Sequence, residues 1–186
     1  MLNIAAIALR GFLVIFGAVV LGLSVTLAKQ QVIGSPPAET SFYSFAGAFG
    51  LVASAIAILA MIIDKVPRVG VIVADGLASL FYLAGAIALT VALKPVSSCT
   101  SSSARPRSER FANKLLNGGC NKIDNQLYCP NAGSGGGNKV DSYTSGRCQE
   151  VQADYVFGYL AAVFGLASII VTFLTQRRTP STGTYV

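Results

Sequence analysis

Four long apolar stretches constrain this chain more than any other feature. Residues 11–28 and 42–63 carry no charged side chain, 69–93 holds the single acid Asp75, and 151–175 holds Asp154 near its start. The first stretch extends back through apolar residues 4–9 once Arg10 is accommodated. Each approaches or exceeds the roughly 20 residues needed to cross about 30 Å of hydrocarbon. Backbone in lipid must satisfy its own hydrogen bonds, and none of the stretches shows the two-residue alternation of a membrane barrel. No proline interrupts them. The expected fold class is an all-α membrane protein, a bundle of four transmembrane helices spanning about 5–28, 42–63, 69–93 and 151–175. Thr26-Leu27-Ala28 loosely resembles a signal-peptidase site, but the start Met1-Leu2-Asn3-Ile4 lacks a basic n-region, so the first span is expected to be retained.

Composition narrows the function classes. Hydrophobic residues make up 53% of the chain and charged residues 12%, too apolar a balance for a water-soluble globule of this size. The absence of histidine removes Ser–His and Cys–His catalysis and imidazole metal sites. The glycine run 133–137 lacks the lysine motif of a phosphate-binding loop. The spans hold too few polar residues to line a wide channel through one bundle. No catalysis, metal or cofactor is expected; small-residue faces left over once the bundle closes are where a bound lipid of sterol or sphingolipid type would pack. The net charge of +6 is read as basic residues meeting anionic headgroups, without a nucleic-acid partner.

The connections differ in kind. Residues 29–41 and 64–68 are short, whereas 94–150 contains Cys99, Cys120, Cys129 and Cys148, with serine- and glycine-rich runs that predict turns and flexible chain. An even number of cysteines confined to one loop, without a Cys-x-x-Cys pair, predicts disulfides in an oxidising space and not zinc. Loop 94–150 is therefore expected to be extracellular or lumenal. Both termini and the short tail 177–186 are then cytoplasmic, together with Arg10, Lys65, Arg68, Arg177 and Arg178, as the positive-inside rule asks. Arg105, Arg107 and Arg110 run against that rule, which binds long loops weakly. Of three possible connectivities, the nested pairing Cys99–Cys148 and Cys120–Cys129 is expected, because the bundle brings the outer ends of helices three and four together.

Within the spans, Asp75 lies about 9 Å from the cytoplasmic end of helix three, and Arg10 sits at similar depth in helix one. An intramembrane ion pair would let both segments stay in lipid; a protonated Asp75, a proton or ion site, and a headgroup contact remain alternatives. Glu150 and Asp154 are expected at the N-terminus of helix four, where the macrodipole favours acids. Small residues recur at four-residue spacing, as in Ala18/Gly22, Ala46/Gly50/Ser54, Ala84/Ala88/Ala92 and Gly158/Ala162, which suits close helix packing and self-association. Phe42, Tyr43 and Phe45, with Tyr155, Phe157 and Tyr159, are expected to form an interfacial aromatic belt.

Taken together, four spans with a cysteine-bearing loop between helices three and four resemble the MARVEL-domain proteins, and within them the fungal non-classical export protein group. The resemblance rests on Arg10 in an apolar N-terminal segment, Asp75 early in helix three, Cys99 just beyond it, and Gly146-Arg147-Cys148-Gln149 leading through Ala153 into helix four. It takes in residues 1–176 as one transmembrane domain. The chain departs from the pattern in an insertion, roughly 101–141, that carries Cys120 and Cys129. The resemblance implies a plasma-membrane organiser linked in fungi to eisosome-type furrow domains and sphingolipid response. Its partners would be membrane lipids, further copies of the chain as a homo-oligomer, and other plasma-membrane domain proteins. The competing readings are a tetraspanin-like partner organiser and a subunit of an oligomeric pore. The chain lacks the Cys-Cys-Gly of the first, and a folded head on the loop is the feature that would favour it.

Overall fold

The computed structural model describes residues 2–63, 67–123, 126–129 and 137–178. Lys65, most of the glycine run and the tail beyond 178 lie outside the described residues, as do the side chains of Arg68, Arg177 and Arg178. Four helices, α1 (Leu2–Lys29), α2 (Ala38–Ile62), α3 (Arg68–Leu93) and α5 (Gly137–Arg178), are long and apolar enough to cross a membrane. Between the last two lie a short helix α4 (Ala104–Ala112) and an antiparallel hairpin of β1 (Asn121–Ile123) with β2 (Gln126–Tyr128), in which Lys122 pairs with Leu127. Apart from that hairpin the described fold is all-α.

The long helices form a ring in the order α1–α2–α3–α5, so the first and last spans are neighbours. Large apolar side chains point outward on every one of them, among them Ile15, Val52, Leu80 and Val163, each more than half exposed. In water such faces would be a liability; in lipid they are the solvent-facing surface. The core is built instead from small residues and two tyrosines: Ala46, Ala86 and Ala161 are fully buried, as is Tyr43, and Tyr82 is nearly so.

Two boundaries differ from the sequence expectation. Helix α5 begins at Gly137, not near residue 151, so the connection shortens to 94–136. Residues 137–150 look like loop because they are polar, yet Thr144, Arg147, Cys148 and Val151 fall on one helical face and are buried there. The connection is also far more ordered than its composition suggests. Leu115 and Leu116 are buried against Cys148 and Val151, closing the loop end of the bundle. Arg147 holds that plug in place, its guanidinium donating to the Leu115 carbonyl at 3.1 and 2.7 Å and to the Leu27 carbonyl at 3.4 Å. Gly118 accepts the Val32 N–H at 2.8 Å, and Gly119, at φ +94°, lies where a Cβ would strike the Ile33 carbonyl. Long-range polar contacts thus order a segment whose local signals favour flexibility.

Candidate functional site

The ring leaves its diagonals to be bridged by side chains, and these bridges make a polar axis along an otherwise apolar interior. Nearest the termini, Arg10 on α1 reaches across to Asp75 on α3. Both guanidinium termini donate to the two carboxylate oxygens at 2.6 Å, and the residues are 4% and 3% exposed. Bidentate geometry is the strongest form of such a pair, and in lipid each charge makes the other tolerable. The Ser79 hydroxyl, one turn on, donates to the Asp75 backbone carbonyl, a bond that the low polarity of the interior strengthens.

Midway along the bundle, Tyr82 from α3 fills a notch between α1 and α2. A Cβ added at Gly17 would lie 2.8 Å from its hydroxyl, and one at Gly50 would collide with its ring. Further toward the loop, Tyr43 from α2 occupies a matching notch made by Gly85 of α3 and Gly158 of α5, and its hydroxyl donates to the Asp154 backbone carbonyl at 3.3 Å. Glycine is required at these positions for space, not for backbone freedom. Sequence reasoning places Tyr43 in the interfacial belt; it is fully buried, because its neighbours in space are glycines on other helices.

Asp154 also departs from expectation. With α5 starting at Gly137, neither Asp154 nor Glu150 is at a helix N-terminus, so the macrodipole gives no account of either. Asp154 is fully buried, one carboxyl oxygen accepting from the Ser24 hydroxyl of α1 at 2.6 Å, the other without a partner among the described residues. Glu150 accepts from the Gln30 side chain at 3.4 Å. No group of three metal-ligating carboxylates or thiols occurs among the described residues.

The cysteines pair as Cys99–Cys148 and Cys120–Cys129. The first joins the segment after α3 to α5 with a Cα separation of 5.4 Å, within the usual range for a disulfide. Above it, Arg110 is fully buried, donating to the Ser98 and Ser101 carbonyls and to Asp141, which also meets Arg107 at 3.0 Å. These arginines are the ones that run against the positive-inside rule; two share one acid on α5. The small residues divide by face. Ala46, Gly50, Gly158 and Ala162 are buried in the bundle, whereas Ala18 and Gly22 point outward, and a Cβ on Gly22 would meet nothing within 4 Å. Among the described residues, those two pack against no other helix.

The model of the MARVEL membrane-associating domain matches residues 3–171, nearly the full length, and the chain belongs to that family. Comparison with curated proteins and with solved structures gave no match.

Proposed function

We propose that this MARVEL-family membrane protein is a self-associating, lipid-sensitive organiser of plasma-membrane microdomains, without catalytic turnover or a cofactor. The observation that carries the reading is the outward face of α1, where Gly11, Ala18 and Gly22 are exposed and neither glycine has any neighbour within 4 Å of an added Cβ. In lipid, small residues gather where backbones approach one another, and among the described residues no other helix uses that face. A second copy, or a sterol- or sphingolipid-like molecule, is the partner of matching shape. The two cysteine pairs support an extracellular or lumenal loop and, with it, cytoplasmic termini. The finer assignment, to the fungal non-classical export group and its eisosome-type domains, rests on the motif around Arg10, Asp75, Cys99 and Cys148.

One feature weighs against the tetraspanin-like reading. The head formed by α4 and its neighbours is not an independent unit, since Leu115 and Leu116 insert into the bundle core, which separates it from a tetraspanin-like head. The polar axis is interrupted by two tyrosine rings wedged against glycines, which opposes conduction through one bundle; an oligomeric pore, built between bundles, is distinguished by single-channel recording of the reconstituted protein. Crosslinking in native membranes, with and without sphingolipid depletion, tests the reading. The expected result is a ladder of oligomers that shrinks on depletion and in a Gly22→Ile variant. A chain that stays monomeric and whose distribution ignores depletion would refute it.

A further inference from the structure

The Tyr82 hydroxyl is buried near the middle of α3, on a residue 2% exposed, and has no hydrogen-bond partner among the described residues. An orphan hydroxyl at this depth is costly, because bulk water and headgroups do not reach it. It does not face solid packing. A cavity of about 10 Å³ adjoins it, lined by Tyr82, Ser79, Asp75 and Ser54 among apolar neighbours. Asp75, Ser79 and Tyr82 follow one another at i, i+4 and i+7 on the inward face of α3, so their polar atoms converge on the same space. Ser79 uses its proton on the Asp75 carbonyl and keeps its lone pairs.

The geometry points to a single ordered water in this cavity, accepting from or donating to the Tyr82 hydroxyl and linking it to the Asp75 and Ser79 side. About one probe sphere of space with two to four polar partners is what a buried water requires, and a dry cavity of this size is normally apolar. A larger ligand does not fit. The water would join the Arg10–Asp75 pair and Tyr82 into one network tying α1 to α3 inside the bundle. Tyrosine, and not phenylalanine, would then have a reason to occupy the Gly17/Gly50 notch.

Water-edited solid-state NMR on the protein reconstituted in phosphatidylcholine bilayers, with ¹³C-tyrosine labelling, tests this. Transfer of water magnetisation to the Tyr82 ring is expected at short mixing times, assigned by its disappearance in Tyr82→Phe. A build-up at Tyr82 as slow as at Leu89, which is fully buried in the same helix, would overturn the inference. The same Phe variant gives a second reading through its stability in detergent. Loss of a water-bonded hydroxyl predicts an unchanged or lowered unfolding midpoint. A raised midpoint, the mark of an unsatisfied hydroxyl removed, would also overturn it.

Discussion

Removing the charge of Asp75 while keeping its shape is the most informative perturbation of this bundle. In Asp75→Asn, Arg10 keeps one carbonyl acceptor but loses its counter-charge in a site where it is 4% exposed. Two unit charges roughly 4 Å apart attract by about 4 kcal/mol at an effective dielectric near 20. Breaking a buried pair from one side typically costs about 3–5 kcal/mol, since the survivor remains charged and unpaired. The Asn variant should fall at the low end of that range because its amide oxygen still accepts. Arg10→Leu should lose a similar amount by stranding the carboxylate. The double variant removes both charges and leaves a neutral amide in place of a stranded ion, so it should lie within about 1–3 kcal/mol of the parent, the cost of an unsatisfied polar group. The coupling energy should therefore exceed about 2 kcal/mol, at the upper end for contacting residues. Equilibrium unfolding by sodium dodecyl sulfate in mixed micelles measures all four proteins. Losses that add to within about 0.5 kcal/mol would mean that the two residues do not act on each other, and the polar axis would lose its strongest element.

Three further outcomes follow from the same geometry. Gly158→Ala should destabilise by about 1–3 kcal/mol through overpacking, and Tyr43→Phe, which removes the hydroxyl nearest the new methyl, should restore part of it in the same unfolding assay. Arg147→Met should cost about 1.5–3 kcal/mol for its lost charged hydrogen bonds; by loosening the Leu115–Leu116 plug it should also speed reduction of Cys99–Cys148, followed by thiol labelling. The Ser97 hydroxyl and backbone N–H, together with Arg105, hold the Glu109 carboxyl below its usual range. Its contribution to holding α4 is thus complete above the ordinary carboxylate pKa and lost as pH falls through the lowered value, so proteolysis near Ser97 should increase below about pH 4 and be independent of pH there in Glu109→Gln.

The four spans and the Arg10–Asp75 pair are legible in the sequence for one physical reason: a charge among uncharged neighbours in lipid stands out and demands a partner. The cysteine pairing is legible because helix ends limit which thiols can meet. Tyr43 and Tyr82 are not, since their notches are cut by Gly17, Gly50, Gly85 and Gly158 on neighbouring helices, and no spacing within one helix reports a vacancy on another. Hydropathy places Asp154 at a helix start because it marks where apolar sequence begins, whereas α5 begins fourteen residues earlier in polar sequence, at Gly137 and not Val151. A signal for this was present: Thr144, Arg147, Cys148 and Val151 already carry the helical period. The order of the loop was hidden for another reason. Arg110 and Arg147 stabilise it through backbone carbonyls far away in sequence, and carbonyls leave no trace in composition.

The adjacency of α1 and α5 has a consequence for how the ribosome delivers this protein. Chains fold from the N-terminal end as they emerge. Once Leu93 has been made, both Arg10 and Asp75 exist, and the first buried charges can neutralise each other in a three-helix intermediate. Ser24, Tyr43 and Cys99 must wait, because Asp154, Gly158 and Cys148 all arrive with the last helix. Synthesis thus makes the ionic pair available before the contacts that close the ring. The bond between Cys99 and Cys148, 49 residues apart, becomes available once the start of α5 has been made, so the covalent latch joins the end of α3 to the helix that closes the ring.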